Sequence, residues 1–255
     1  MFNLQKYMSK LGITHQIDIM PDLKLLRELQ YRHVMHIPFE NLDIMDGVPL
    51  SMNPDILFNK IIEGRRGGVC YELNGLFHNL LKALGFSASM AACTVKQEEG
   101  WFIDGTHAVN VVHLPGGDYL VDVGFGGRSP RVPVPLNGEL TEDWDGNWRI
   151  SPYIEEQDRF VLEKETPDEW EMLYQLDREP RLLEDFKAVF DMTQYGHESK
   201  FNKIRVAMIQ TEQGRVTLSG NSLTRVNGET KSKEEVEPER IGQVLRELFH
   251  IEWKE

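Results

Sequence analysis

The chain has 255 residues, 40% hydrophobic and 27% charged, the make-up of an ordinary globular protein with room for two or three small domains or one large domain with a lid. Its longest apolar runs fall far short of the roughly 18 residues of a membrane span, which rules out a transmembrane protein. The 28 Lys and Arg against 41 Asp and Glu leave a net charge of −13, which repels a phosphate backbone and argues against nucleic acid as a partner.

Along the chain, Leu23, Leu26, Leu29, Val34 and Ile37 recur mostly at three-residue steps behind Pro21 and Asp22 and predict a helix that Pro38 closes. Asn53-Pro54-Asp55 predicts a capped entry into a second helix over residues 56–62. The clearest helix is 71–84, where Leu73, Leu76, Phe77, Leu80, Leu81 and Leu84 make one apolar stripe and Gly85 stands ready for a left-handed cap. From Phe86 the texture changes to short strand-like runs over 90–95, 108–114, 119–123, 160–162 and 170–176, with an acidic loop expected around 137–158. A connecting helix over 182–190 leads to a meander of strands at 204–210, 215–219 and 222–226. The polar stretch 227–237 reads as a loop, and Pro238 opens a last amphipathic helix.

Two cysteines, Cys70 and Cys93, and no signal-like segment in residues 1–12 point to a reduced, cytoplasmic setting without a disulfide framework. A phosphate-binding glycine loop with Lys-Ser/Thr, paired zinc cysteines and His-Glu-x-x-His are all absent, so no metal is expected. Gly124-Phe125-Gly126-Gly127 begins like a dinucleotide fingerprint, but Ser129 replaces the third glycine and prolines follow in place of a helix.

Cys70 stands between the double glycine Gly67-Gly68 and the best helix in the chain. Free amides at a helix start stabilise a thiolate and can bring a cysteine pKa from about 8.5 to roughly 3.5–7.5. The ordinary reading of any one cysteine is a buried structural thiol, and Cys93, in an apolar strand, is given that reading. A nucleophilic thiol needs a base and a group that orients it. His107 at the head of one predicted strand and Asp122 in the next fit, and an even-numbered turn puts them on one face. A four-residue turn pairs Asp122 with Val111 and leaves roughly 13 Å to the level of His107, so contact requires a bulge, strong twist or another register. The other seven histidines lack such a context. An aspartate between Val121 and Val123 is out of character for a strand unless it has a partner.

Arg66-Gly67-Gly68-Val69-Cys70-Tyr71-Glu72-Leu73-Asn74 resembles the nucleophile motif of the arylamine N-acetyltransferases, Arg-Gly-Gly-x-Cys followed by Glu and Asn. Ile37-Pro38-Phe39-Glu40-Asn41-Leu42, Gly105-Thr106-His107 and Val121-Asp122-Val123-Gly124-Phe125-Gly126 extend the resemblance in the family's order. The resemblance implies an α+β fold: a helical N-terminal bundle over 1–85 carrying the nucleophile, a β-barrel-like middle domain over 86–190 carrying His and Asp, and a C-terminal α/β lid over 191–255. It implies a cysteine-protease-like catalytic core in which Cys70, His107 and Asp122 form the triad, with Glu40 and Arg66 as a structural ion pair. It also implies acetyl-CoA as co-substrate and an arylamine, arylhydrazine or N-hydroxyarylamine as acceptor, in a ping-pong reaction through acetyl-cysteine. At 194–201 the chain reads Gln-Tyr-Gly-His-Glu-Ser-Lys-Phe where many members have Ser-Thr-His-Pro-Ser-Ser-x-Phe, so lid contacts are not carried over.

Within that reading Phe39, Thr106 and Phe125 are candidates to line the aromatic acceptor site. Gly126 and Gly127 are candidates for close approach to the coenzyme, with Arg128 and Arg131 as a local basic cluster for its phosphates. Two other readings use the same residues: a papain- or transglutaminase-like cysteine hydrolase, and a non-catalytic protein that binds acyl-CoA or an aromatic ligand.

Overall fold

The computed structural model describes residues 2–14, 20–153 and 158–253. Its N-terminal part consists of α1 (Leu4–Lys10), α2 (Leu23–His36), α3 (Leu42–Met45), α4 (Pro54–Leu57) and α5 (Cys70–Ala83), with a two-residue strand β1 (Phe39–Glu40) after α2. Asp22 caps α2 by accepting the Leu25 N–H at 2.8 Å, and Asn53 caps α4 through the N–H groups of Asp55 and Ile56. The second predicted helix is α4 continued by a π-helical turn, Phe58–Glu63. In α5, Leu73, Leu76, Phe77, Leu80 and Leu81 lose all contact with solvent, worth roughly 1.5–3 kcal/mol of apolar burial each. Gly85, at φ +86°, ends this helix in the left-handed conformation.

A sheet packs against α5. In chain order its strands are β2 (Ser87–Gln97), β3 (Gly100–Trp101), β4 (His107–Leu114), β5 (Gly117–Val121), β6 (Val134–Pro135), β7 (Thr141–Asp143), β8 (Gly146–Pro152), β9 (Arg159–Glu165) and β10 (Trp170–Asp177). Among the described residues the order across the sheet is β6-β5-β4-β2-β10-β9-β8-β7, with β3 paired to β2. The edge strand β6 approaches β8 from the far side, so the sheet curls almost into a barrel around Val111, Leu120, Val134, Trp148, Ile150 and Leu162. The interval 137–158, expected to be a loop, carries β7 and β8; its residues 154–157 lie outside the described residues. Residues 147–151 alternate polar and apolar, Asn-Trp-Arg-Ile-Ser with Trp148 and Ile150 inward, and pairing with β9 completes the strand, though the acidic and glycine-bearing stretch before it reads as a loop.

After a 3-10 turn at Leu183–Phe186, α6 (Lys187–Tyr195) starts later and runs further than the predicted connecting helix. Then β11 (Val206–Thr211), β12 (Gly214–Ser219), β13 (Ser222–Asn227) and β14 (Thr230–Glu235) form an antiparallel meander. The last helix, α7 (Ile241–Phe249), packs Ile241, Val244, Leu245 and Phe249 on one face of it. β14 occupies the stretch 227–237 that was expected to be a loop. All six of its side chains are exposed, so no alternation marks it; pairing with β13 holds it, and Lys231 and Lys233 guard the sheet edge. At the other edge β1 pairs with β11, Phe39 opposite Met208 and Glu40 opposite Ala207, which joins this sheet to the N-terminal helices.

Buried charges fix the segment that precedes α5. Glu40, fully buried, accepts two Arg66 guanidinium N–H bonds at 2.9 and 3.2 Å and the N–H groups of Gly67 and Leu42 at 3.1 and 2.7 Å. Arg66 also reaches Asp43 at 2.7 Å, and Lys60 joins Asp43 at 2.8 Å to Glu72 at 2.9 Å. Burial disfavours the Lys60 ammonium, but the charges of Glu72, Glu40 and Asp43 outweigh it and push its pKa up to about 12. Gly67 fits only as glycine, since a Cβ there would stand 2.0 Å from the Pro38 carbonyl oxygen. Arg66→Met, which leaves the Glu40 charge buried and uncompensated, should cost about 3–5 kcal/mol in urea unfolding. Arg225→Met, which breaks an exposed pair with Glu234, should change stability by less than about 1 kcal/mol in the same assay.

Candidate active site

β4 and β5 are joined by a two-residue turn, Pro115 and Gly116, with Leu114 opposite Gly117. This is shorter than the four-residue turn expected, and it moves the register. Val121 now faces Asn110, so Asp122 follows level with Val109, on the same face as His107 and two residues from it. Side chains reach across such a diagonal, and His107 Nε2 lies 2.8 Å from Asp122 Oδ2. The chain then turns onto α5 at Gly124, where a Cβ would stand 2.5 Å from Asn74 Nδ2 and 2.8 Å from Cys70 Cα.

Asp122 is wholly buried and saturated with donors. Asn74 Nδ2 and the Gly124 N–H donate to Oδ1 at 2.9 and 2.8 Å, and the Tyr174 hydroxyl donates to Oδ2 at 3.0 Å beside His107. Burial would raise its pKa, but the His107 charge and these hydrogen bonds hold it below the usual carboxylate range. For the buried His107, burial favours the neutral ring, yet Asp122 and a hydrogen bond to the Cys70 thiol push its pKa up to about 10. Phe125 and Tyr174 pack on the imidazole with ring centroids 5.0 and 5.1 Å away.

Cys70 is the first residue of α5, behind an extended Val69 whose N–H donates to the Glu72 carboxylate at 3.1 Å. The residue is 6% exposed, and its thiol lies 4.0 Å from the Thr106 carbonyl oxygen. In the first turn of the helix, the N–H groups of Cys70 and Tyr71 have no intrahelical partner. The fold thus brings Cys70, His107, Asp122, Thr106 and Phe125 together. Thr106 presents its carbonyl, not its hydroxyl, which donates to Ile103 O at 2.8 Å. Phe39 stands one step away, 3.6 Å from the position of a Cβ on Gly126 and tilted against Phe201 with ring centroids 5.6 Å apart. Gly126, at φ +65°, and Gly127 form a 3-10 turn with Arg128, and Gly127 N–H points at Met208 Sδ.

The basic cluster expected for phosphates is not there. Arg131 is buried, and its guanidinium donates to Gln210 Oε1 and to the carbonyls of Thr211, Glu212 and Gly214 while stacking on Trp144. Arg128 pairs with Glu171. A cation that does stand at the glycine turn is Arg215 of β12, whose Cδ lies 2.7 Å from the position of a Cβ on Gly127. Sequence reasoning also passed over Asn74 and Tyr174. Asn74, four residues after Cys70 on the same helix face, carried a signal as the last residue of the 66–74 motif; nothing in the sequence marks Tyr174. Cys93 faces His107 across β2 and β4, but burial and then the Asp122 charge drive its thiol pKa far upward, which keeps it protonated. Among the described residues, no cluster of His, Cys, Asp or Glu could hold a metal ion, and no helix is long and apolar enough to cross a membrane.

The profile of a family described as N-acetyltransferase matches residues 22–255. An arylamine N-acetyltransferase of Mycobacterium tuberculosis (strain ATCC 25618 / H37Rv) is 35% identical over 210 residues, 80% of this chain and 73% of that relative. The chain belongs to the arylamine N-acetyltransferase family. It is also 31% identical over 232 residues to an uncharacterized acetyltransferase of Bacillus subtilis (strain 168), which covers 89% of this chain and 90% of the relative. A crystal structure of an arylamine N-acetyltransferase from Bacillus cereus superposes with a TM-score of 0.90 at 29% identity, covering 99% of this chain and 100% of that one. That N-acetyltransferase is described as having a Cys-His-Glu triad, whereas the carboxylate that meets His107 here is an aspartate.

The pKa of His107 lies above its ordinary 6.5, so its charge stabilises this N-acetyltransferase fold fully below about pH 6.5, and that contribution is lost as pH rises through about 10. Asp122→Asn removes the charge that outweighs burial, so the ring should titrate below 6.5 in imidazole nitrogen NMR. A ring still protonated at alkaline pH in the variant would contradict this account.

Proposed function

We propose that the chain transfers an acetyl group from acetyl-CoA to the nitrogen of arylamines, arylhydrazines or N-hydroxyarylamines, through an acetyl-Cys70 intermediate. The observation that carries this reading is the contiguous Cys70, His107 and Asp122 at the start of α5, inside the fold of an acetyltransferase family. Asp122 holds Nε2 of His107, which leaves Nδ1 to serve the thiol. The Cys70 proton passes to His107, and the thiolate attacks the thioester carbonyl. The oxyanion so formed meets the N–H groups of Cys70 and Tyr71 in the first turn of the helix. Coenzyme A leaves as the thiol with the proton that His107 held. In the second half the amine attacks the acetyl-cysteine carbonyl, neutral His107 takes the amine proton, and the amide departs as the Cys70 thiolate re-forms. Asp122 fixes the ring and favours imidazolium in both halves.

Burial of the sulfur and the packing of Phe125 and Tyr174 on His107 limit access for water, which favours transfer over hydrolysis. Phe39 and Phe125 supply flat apolar surface for an aromatic acceptor, beside the Thr106 carbonyl. At the Gly126 and Gly127 turn, the coenzyme backbone approaches Arg215, whose positive charge offsets its phosphates despite the net charge of −13.

Intact mass after mixing with acetyl-CoA should show one acetyl group on Cys70, discharged by an aromatic amine to the N-acetylated product. Cys70→Ala should abolish the adduct and Cys93→Ala should leave it. Rapid loss of the adduct to acetate without amine is the hydrolase outcome, and no adduct at all is the outcome for a ligand-binding protein. Arg215→Ala should raise KM for acetyl-CoA by about tenfold with kcat little changed, read in a steady-state assay.

A further inference from the structure

Away from Cys70, a cleft of about 340 Å³ is lined by Lys10, His36, Arg65, Arg246, His250 and Glu252. Five of the six are cations or groups that become cations on protonation, in a protein whose net charge is −13. Lys10 and His36 are the last residues of α1 and α2, and His250 caps α7, so part of this charge answers the negative ends of three helices. Arg65 has no such explanation. It comes from the loop before the nucleophile motif and lines the same cleft from a left-handed backbone, φ 51°. His250, at φ 57°, is held in the same uncommon conformation, so two of the residues lining the cleft carry backbone strain of the kind that clusters at ligand clamps.

The single carboxylate of the lining does not neutralise these groups. Glu252 lies 3.8 Å from Arg65 and 3.5 Å from Arg246, loose contacts with neither guanidinium engaged bidentately. Burial and then Arg65 lower the pKa of Lys10, and burial followed by Lys10 and His36 lowers that of His250. The cations Lys10 of α1, Arg65 of the 64–66 loop and Arg246 of α7 converge on one concavity with the imidazoles of His36 and His250, which matches a compact anion of more than one charge, and guanidinium groups match phosphate oxygens in geometry. The concave shape and the size of a small-ligand cleft favour a soluble molecule over a flat membrane.

We propose that this cleft is a binding site for a small phosphate-bearing anion, a diphosphate or a phosphate monoester, separate from the acetyl-transfer site. The site touches the nucleophile loop through the chain itself: Arg65 precedes Arg66, which Glu40 and Asp43 clamp, and the Arg65 carbonyl accepts the Glu252 N–H at 3.1 Å. An anion there ties the C-terminal segment to the segment that leads into α5, so binding should raise thermal stability by mass action.

The test is a titration of the full chain with inorganic pyrophosphate at low salt, followed by melting temperature and calorimetry, with sodium chloride matching the ionic strength. The proposal expects a saturable rise in Tm, absent with chloride. Arg65→Gly places glycine where φ is positive, so the unliganded variant should melt no lower than the parent. Its pyrophosphate affinity should nevertheless fall by about tenfold or more. Lys10→Ala with Arg246→Ala should lose the same effect while KM for acetyl-CoA stays unchanged, which separates this site from the coenzyme's. No saturable effect at millimolar pyrophosphate overturns the proposal. So does an effect that survives in both variants and vanishes with saturating coenzyme A, which assigns the anion to the transfer site. Sedimentation with phosphatidylglycerol vesicles without pyrophosphate binding overturns it too, because the anion is then a lipid headgroup.

Discussion

A carboxylate with no access to water needs hydrogen bonds from within the protein, and Asp122 takes its donors from four places: Asn74 on α5, Gly124 in the loop after β5, His107 on β4 and Tyr174 on β10. Leaving any one of them out would strand a buried negative charge. The demand therefore draws α5, two neighbouring strands of the curled sheet and a third strand across β2 to one point. Asn74 makes the tie double, since its Oδ1 accepts the Val123 N–H while its Nδ2 also donates to the Ala108 carbonyl. Cys70, one helical turn before Asn74, is placed beside His107 by the same bonds that satisfy Asp122.

The second set of buried charges works on the other side of Cys70. Glu40, Arg66, Asp43, Lys60 and Glu72 hold β1, α3, the π-helical turn and the start of α5 together, and the two-strand pairing of β1 with β11 carries that frame to the C-terminal sheet. Burial opposes these charges; pairing holds Asp43 below the usual carboxylate range and Lys60 above its ordinary value, whereas at Glu72 burial outweighs its partners and raises the pKa. The loop through Gly67 and Gly68 is consequently fixed in space before the helix begins, and the Cys70 sulfur inherits a defined position from these ion pairs.

Much of this was legible along the chain. The apolar stripe of α5, its start at a double glycine and its glycine stop follow from local periodicity and capping, and they singled out Cys70 from Cys93. His107 and Asp122 were legible as a pair on one face, but their separation depended on the length of one turn: two residues instead of four turned a remote pair into a hydrogen bond. β7 and β14 were missed because strand pairing holds them with one inward residue or none, and β8 because its Trp148 and Ile150 alternation sits in an acidic, glycine-bearing stretch that reads as loop. Arg131 looked like a free cation because a sequence shows the charge and not the three carbonyls and one amide that surround it.

The residue order alone determined the cores of α2, α5 and α7, the change to sheet near Phe86, the choice of Cys70 as the candidate nucleophile and the family the chain belongs to, because caps, periodicities and contiguous motifs are set by neighbours in the chain. The tertiary structure alone decided which cation faces the glycine turn, that Thr106 offers its carbonyl, and that Tyr174, 52 residues from Asp122, completes its hydrogen bonding. Those outcomes turn on where a buried charge finds its partners, and the partners come from whichever strands the register brings alongside it.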